Sequence, residues 1–423
     1  MSFPYTQCIS AITIPAGEYK NYTFVVAAYQ SGISVGQFSP NPTPPSYTLG
    51  GVSNLDNNGA STTAIEFLLD YSNTDYSPPY YFVYGSEDEN IWLNSINPAT
   101  RGSQFTSSNV TTQIASEKQP DAPIAGLFYY FPESLLYVAA SNGNLYWYSV
   151  TWSNGVPSLS YVGSNTSYSQ TDGASVSLTF FPAGTLTNYD CLLLGGCAAT
   201  GVIFNAKNPS STPTLYGYDG GCNATDVCKG PKGIYWATPA GGLHYQPYSG
   251  FNASLSPIWT VPSGQVILSL AYSPNAGNAD PGNYPEGAIF IATAPSNPSN
   301  SSMGSIYVCD ASTNTVGNAA QQDATISGSP WGIIADANLT YMCATGSCGV
   351  FLSTLAAYNP ESNIPENGML VPNKVTSGVG HTWISDLVSA AALVFGVVTE
   401  DPVAVGWAVA GIDAGPIDAQ TGY

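Results

Sequence analysis

Two short stretches gather carboxylates closely enough to do chemistry, Glu87-Asp88-Glu89 and Glu400-Asp401. Two carboxylates at a suitable separation are what glycoside hydrolysis asks of a protein. Both stretches lie between apolar runs, where a solvated turn is the simpler explanation. His occurs only at His244 and His381. No Ser-His-Asp elbow, His-Glu-x-x-His helix or phosphate-cradling glycine loop can be assembled around them. The chain is therefore expected to be no enzyme, with a glycoside hydrolase as the alternative, and no cofactor is expected. One loop, holding Asn275, Asn278, Asp280, Asn283 and Glu286, is rich in oxygen. Asp280 and Glu286 are its candidate ligands for a structural calcium ion, although the spacing matches no known calcium loop.

Flat side chains with polar tips offer a different chemistry, stacking combined with hydrogen bonding. Trp152 follows a strand end and precedes Ser-Asn-Gly-Val-Pro, and Tyr76 and Tyr284 lie in loops beside prolines. These three are the candidate ligand-binding residues. Packing of loop aromatics over sheet edges is the competing role for each.

The eight Cys form no Cys-x-x-Cys pair, which argues against a zinc ribbon or a thioredoxin-like site. Cys343 and Cys348 flank a turn, and Cys222 and Cys228 could close a short loop. These are the candidate disulfides, with buried free thiols as the alternative. Asn21, Asn109, Asn165, Asn223, Asn252, Asn300 and Asn338 head Asn-x-Ser/Thr sequons and are candidate glycosylation sites. In a chain this rich in Ser and Thr, chance alone supplies such sequons.

Charged residues make up 8% of the chain, against about 25% in ordinary globular proteins. Hydrophobic residues reach 44% and aromatics 12%, so a large core is available. The formal charge is −20, with seven Lys and Arg scattered along the sequence. Nucleic acid needs a cationic footprint that this chain lacks, and an anionic membrane is disfavoured for the same reason. Below about pH 4 the carboxylates would be protonated, leaving little charge to drive acid unfolding. The balance thus suits an acid-exposed protein as well as an ordinary acidic secreted one.

The segment beginning Met-Ser-Phe-Pro-Tyr has neither the basic region nor the apolar region of a signal peptide. No membrane span is expected, because the apolar stretch 387–412 is broken by Thr399-Glu400-Asp401-Pro402.

The elements that must position these residues recur. An apolar run, a small polar turn and a second apolar run start at 22, 80, 135, 191, 233, 287, 339 and 392, about 53 residues apart. Upstream of several units lies a further strand candidate, as at 9–15, 64–70, 124–130, 266–272 and 330–336. Most have a weaker strand downstream, such as 47–51, 159–163 and 214–218. Continuous apolar runs such as Ala-Ile-Phe-Ile-Ala-Thr imply sheets buried on both faces. The expectation is one all-β domain over 1–423, a β-propeller of eight four-stranded blades. The blades are placed at 8–54, 62–111, 122–165, 172–220, 226–262, 265–326, 329–373 and 380–423, with 3–8 closing the ring as a last strand. The unit at 233 is the weakest, and without it the count is seven.

The chain resembles β-propellers as an architecture and no one family. Gly-His and Trp-Asp pairs and the kelch double glycine are missing, and Ser86-Glu87-Asp88-Glu89-Asn90-Ile91-Trp92 is only a flawed likeness of a sialidase Asp box. Its Tyr-, Ser- and Asn-rich, Lys-poor composition resembles surface and virion proteins of thermoacidophilic archaea and their viruses. That resemblance implies a non-enzymatic virion or extracellular surface protein attaching to host glycans or to neighbouring subunits of a particle or surface layer. A secreted sugar-binding or sugar-cleaving propeller and a structural lattice or filament subunit are the alternatives.

Overall fold

Seven antiparallel sheets, laid down one after another along the chain, account for nearly all of the described structure. A computed structural model describes residues 9–20, 23–29, 32–38, 62–98, 108–109, 118–168, 176–197, 200–216, 224–248, 256–273, 284–296 and 306–317. It also describes the strands at 330–335, 340–345, 349–354 and 373–374.

The first sheet has three strands, β1 (Ile9–Thr13), β2 (Thr23–Tyr29) and β3 (Gly32–Phe38). The other six have four each. The second holds β4 (Thr62–Leu68), β5 (Tyr80–Ser86), β6 (Ile91–Ile96) and β7 (Ser108–Asn109). The third holds β8 (Ile124–Tyr130), β9 (Leu135–Ala140), β10 (Leu145–Ser153) and β11 (Val156–Asn165). The fourth holds β12 (Ser177–Phe181), β13 (Cys191–Cys197), β14 (Thr200–Asn205) and β15 (Thr214–Tyr216). The fifth holds β16 (Asp226–Lys229), β17 (Gly233–Ala237), β18 (Gly242–Pro247) and β19 (Trp259–Thr260). The sixth holds β20 (Gln265–Ser273), β21 (Ala288–Pro295), β22 (Ile306–Asp310) and β23 (Thr315–Val316). The seventh holds β24 (Pro330–Ala335), β25 (Thr340–Thr345), β26 (Gly349–Thr354) and β27 (Asn373–Lys374).

Within each four-stranded sheet the strands pair in chain order, so every connection is a hairpin. The first strands of successive sheets pack in sequence, β1 on β4, β4 on β8, β8 on β12, β12 on β16, β16 on β20 and β20 on β24. β1 also meets β24. This all-β arrangement is that of a propeller. The fifth unit, doubtful in sequence, is a full four-stranded sheet, and its first strand occupies the short stretch 226–229. The eighth unit at 392–411 and the closing strand at 3–8 lie outside the described residues.

Residues two apart on a strand share a face, so a strand sandwiched between two sheets feeds two cores. Leu127 and Tyr129 of β8, with Leu136 and Val138 of β9, pack toward the second sheet. Phe128 and Tyr130, with Tyr137 and Ala139, pack toward the fourth. Every residue of β8 and of β21 is buried, which explains apolar runs without alternation. Several polar tips inside these cores find partners on a neighbouring sheet. The Tyr130 hydroxyl, for example, donates to Asp190 Oδ2 at 2.6 Å.

Candidate functional site

The connection from β4 to β5 folds back over the junction between the second and third sheets. Asp70 Oδ1 accepts from the Ser72 amide at 3.0 Å and from its hydroxyl at 2.5 Å. Asn73 Oδ1 accepts from the Asp75 amide at 3.1 Å. Such side-chain turns hold an irregular loop in place of strand pairing. They deliver Tyr76 in the left-handed region, at φ 41°, and its carbonyl accepts from the Tyr80 hydroxyl at 3.0 Å.

Trp152, near the end of β10, faces this loop across a cleft of about 30 Å³. Asp70, Asn73, Tyr76, Tyr80 and Gly155 line the cleft with it. The indole of Trp152 is half-buried and meets Tyr81 of β5 edge to face at 6.0 Å. Tyr71 meets Tyr76 edge to face at 6.2 Å and Phe131 at a tilt, with ring centres 4.4 Å apart. Burial raises the Tyr71 phenol well above its ordinary value, and neighbouring Tyr76, Tyr129 and Glu66 add to this. The phenols therefore stay neutral. Asp70 is the one ionisable carboxylate in the lining, and no Lys or Arg contributes to it.

Two of the three expected ligand-binding residues, Trp152 and Tyr76, thus meet in one site. Tyr76 is 8% exposed and forms a wall of the cleft more than an open stacking platform. Tyr284 lies elsewhere, in the half-buried turn before β21, where its carbonyl accepts from the Gly287 amide at 3.1 Å. Sequence reasoning missed Asp70 and Tyr81. Asp70-Tyr-Ser is an Asx-turn signal that could have placed the loop, whereas nothing local marks Tyr81.

Other candidates resolve as structural. Asp88 of the acidic turn accepts from the Ser86 hydroxyl, and its carbonyl accepts from Asn90 Nδ2 at 3.1 Å, so it braces the β5–β6 hairpin. Glu89 supplies that turn's left-handed residue, at φ 67°. His244 is buried and stacked on Trp236 at 5.2 Å. Glu286 pairs with Lys232, which occupies one of the two candidate calcium ligands, and Asp280 lies outside the described residues. Among the described residues no group of three or more His, Cys, Asp or Glu could hold a metal ion.

Of the expected Cys222–Cys228 bridge, Cys222 lies outside the described residues, while Cys228 is buried and its thiol donates to the Lys229 carbonyl at 3.3 Å. Cys228 fills a core position with Tyr235 and Leu270. Cys343 falls on β25, while Cys222 and Cys348 lie outside the described residues. Of the sequon residues, Asn109 ends β7 and Asn165 ends β11, where its side chain accepts from the Ser167 amide at 3.1 Å. Asn21, Asn223, Asn252, Asn300 and Asn338 lie outside the described residues.

No family model and no curated protein matches the sequence. Among solved structures, the chain is similar in shape to Sqt1 from Chaetomium thermophilum. Identity is 14% and the TM-score 0.48, over 90% of this chain and 91% of that one. A second structure shows the Chaetomium thermophilum Sqt1 bound to the N-terminus of the ribosomal protein L10. It matches at 12% identity and TM-score 0.47, again over 90% and 91%.

The expectation of a virion or extracellular surface protein, with host glycans or particle subunits as partners, is corrected here. The similar structures are of Sqt1, and the partner in one of them is a ribosomal-protein segment. The viral and glycoprotein associations fall with it, and the archaeal resemblance, which rested on composition, gains no support.

Proposed function

We propose that the chain is a non-enzymatic binding scaffold whose contact site, the cleft between the second and third sheets, receives the ammonium tip of a basic peptide segment from a partner protein. The observation that carries this reading is the pairing of Trp152 with Asp70 across a cleft sized for one small group. An indole face attracts a cation, and a carboxylate beside it supplies the opposite charge. The rest of the molecule favours the same partner. A chain of formal charge −20 draws basic segments toward itself and repels acidic ones.

The scaffold is read as a closed ring of seven blades in a single domain. Support comes from the unbroken series of first-strand contacts around the seven sheets, together with the contact of β1 with β24.

The test is titration of the full chain with an acetylated octapeptide of alternating Lys and Ser, followed by calorimetry and tryptophan fluorescence. The Lys peptide is expected to bind and its Glu-Ser counterpart to show no binding. Trp152→Ala and Asp70→Asn should each weaken the Lys peptide at least about tenfold, the scale of one desolvated cation–π or charge-assisted contact. Equal affinity in wild type and both variants, or no binding of the Lys peptide, overturns the reading.

A further inference from the structure

Asp226 heads β16 with 1% of its surface exposed. Its carboxylate draws donors from three sheets. Ser177 Oγ of β12 donates to Oδ1 at 2.9 Å, and the Val227 amide donates to the same oxygen at 2.8 Å. Ser177 Oγ is itself oriented by the Val227 amide, from which it accepts at 3.2 Å. On the other side, Ser269 Oγ and the Leu270 amide of β20 donate to Oδ2 at 3.1 and 2.7 Å. One side chain thus ties the first strands of the fourth, fifth and sixth sheets together.

Among the described residues Asp226 makes no ion pair. The titratable side chains on the surrounding strands are Cys228 and Lys229 of β16, Tyr235 of β17 and Tyr272 of β20, and β12 carries none. The Cys228 thiol donates to Lys229 O, the Tyr235 hydroxyl to Asn314 Oδ1 and the Tyr272 hydroxyl to Glu286 O. Lys229 lies three positions along the strand, on the opposite face.

We propose that Asp226 is a proton switch at the junction of these three sheets, which holds most firmly when the carboxyl is protonated and loosens when it ionises. Burial without a countercharge favours the neutral carboxyl, while the hydrogen bonds donated to it favour the ionised form. Burial pushes this carboxyl up to about 6, against the pull of its four donors. When the proton arrives, the Ser269 hydroxyl can turn from donor to acceptor while the two amides stay in place. The unfolded chain takes up the same proton only near pH 4. Between about pH 4 and 6 the folded state therefore binds more proton, and stability falls as pH rises through that window.

The experiment follows the Asp226 carboxyl by carbon-13 NMR and the urea midpoint of the full chain from about pH 4 to 8. The carboxyl is expected to titrate near pH 6. The wild-type midpoint, taken relative to Asp226→Asn, should fall across the same window. Ser269→Ala removes one donor to the ionised form and should move the inflection upward; this milder variant keeps the test open should Asp226→Asn fail to fold. A carboxyl already ionised at pH 5, or an inflection unmoved in Ser269→Ala, overturns the proposal.

Discussion

The hydroxyl of Tyr137 donates to the carbonyl oxygen of Ala206 at 2.6 Å, joining the third sheet to the fourth. Tyr137 is the third residue of β9, and Ala206 directly follows β14. The same relationship recurs two sheets on. Tyr235 is the third residue of β17, and its hydroxyl reaches the carbonyl of Ala311, directly after β22, at 3.4 Å. Both alanines follow an Asx residue, Asn205 or Asp310, whose side chain accepts from the amide two positions on. A buried ring fills the core between sheets while its tip satisfies the end of the next sheet's third strand. A chain with 29 Tyr and 8% charged residues can meet its internal polar demand in this way. Tyr137→Phe leaves the Ala206 carbonyl buried and unpaired, and is expected to cost about 1–2 kcal/mol in urea unfolding with little change in m.

Gly163 of β11 lies against the indole of Trp147. A Cβ placed there would stand 2.6 Å from Cζ2 of that ring, inside any real contact distance. Trp147 is itself buried and has little room to retreat. Gly163→Ala should destabilise the protein by about 1–3 kcal/mol and shift tryptophan fluorescence. Gly155, at φ +75° with no atom within 4 Å of its would-be Cβ, gives the contrast. Gly155→Ala carries backbone strain alone, about 1 kcal/mol, and leaves the fluorescence of Trp147 unchanged.

Burial pushes the Cys191 thiol up to about 11 and the Cys309 thiol up to about 12, with Asp190 and Asp310 respectively adding to the rise. Thiolate is the reactive form, so both remain neutral and inert at pH 8. A thiol reagent applied to the folded protein at that pH should leave Cys191 and Cys309 unlabelled by peptide mapping. The same reagent in concentrated urea should label both. Labelling of either in the folded state would contradict the burial.

The proposed contact with a basic peptide depends on charge at an open cleft. Its affinity should therefore fall as salt rises from about 0.05 to 0.5 M, over which the screening length shrinks severalfold. Asp70→Asn should flatten that dependence, and an affinity insensitive to salt would point to purely apolar contact.

Much of the fold was legible because its physics is local. Seven hairpins, from β2–β3 to β25–β26, lie where paired apolar runs flank small polar turns. The first-strand candidate at 124–130 coincides with β8 residue for residue. β16 was hard to see, since Asp-Val-Cys-Lys shows neither an apolar run nor alternation, and its burial comes entirely from its neighbours. The site was half legible. Trp152 and Tyr76 could be named from their flanking loops, but their meeting depends on two sheets packing side by side. Asp226 carried no signal, because its donors Ser177 and Ser269 come from sheets on either side.

The sequence alone determined an all-β chain of repeating hairpins, charge-poor and strongly acidic, because strand patterning and composition are properties of short stretches. Only the tertiary structure decided which residues share a site. The cleft of Trp152 and Asp70 and the three-sheet junction at Asp226 both arise where separate sheets meet. Each sheet buries two faces against its neighbours, and that packing fixes partners far apart in the chain.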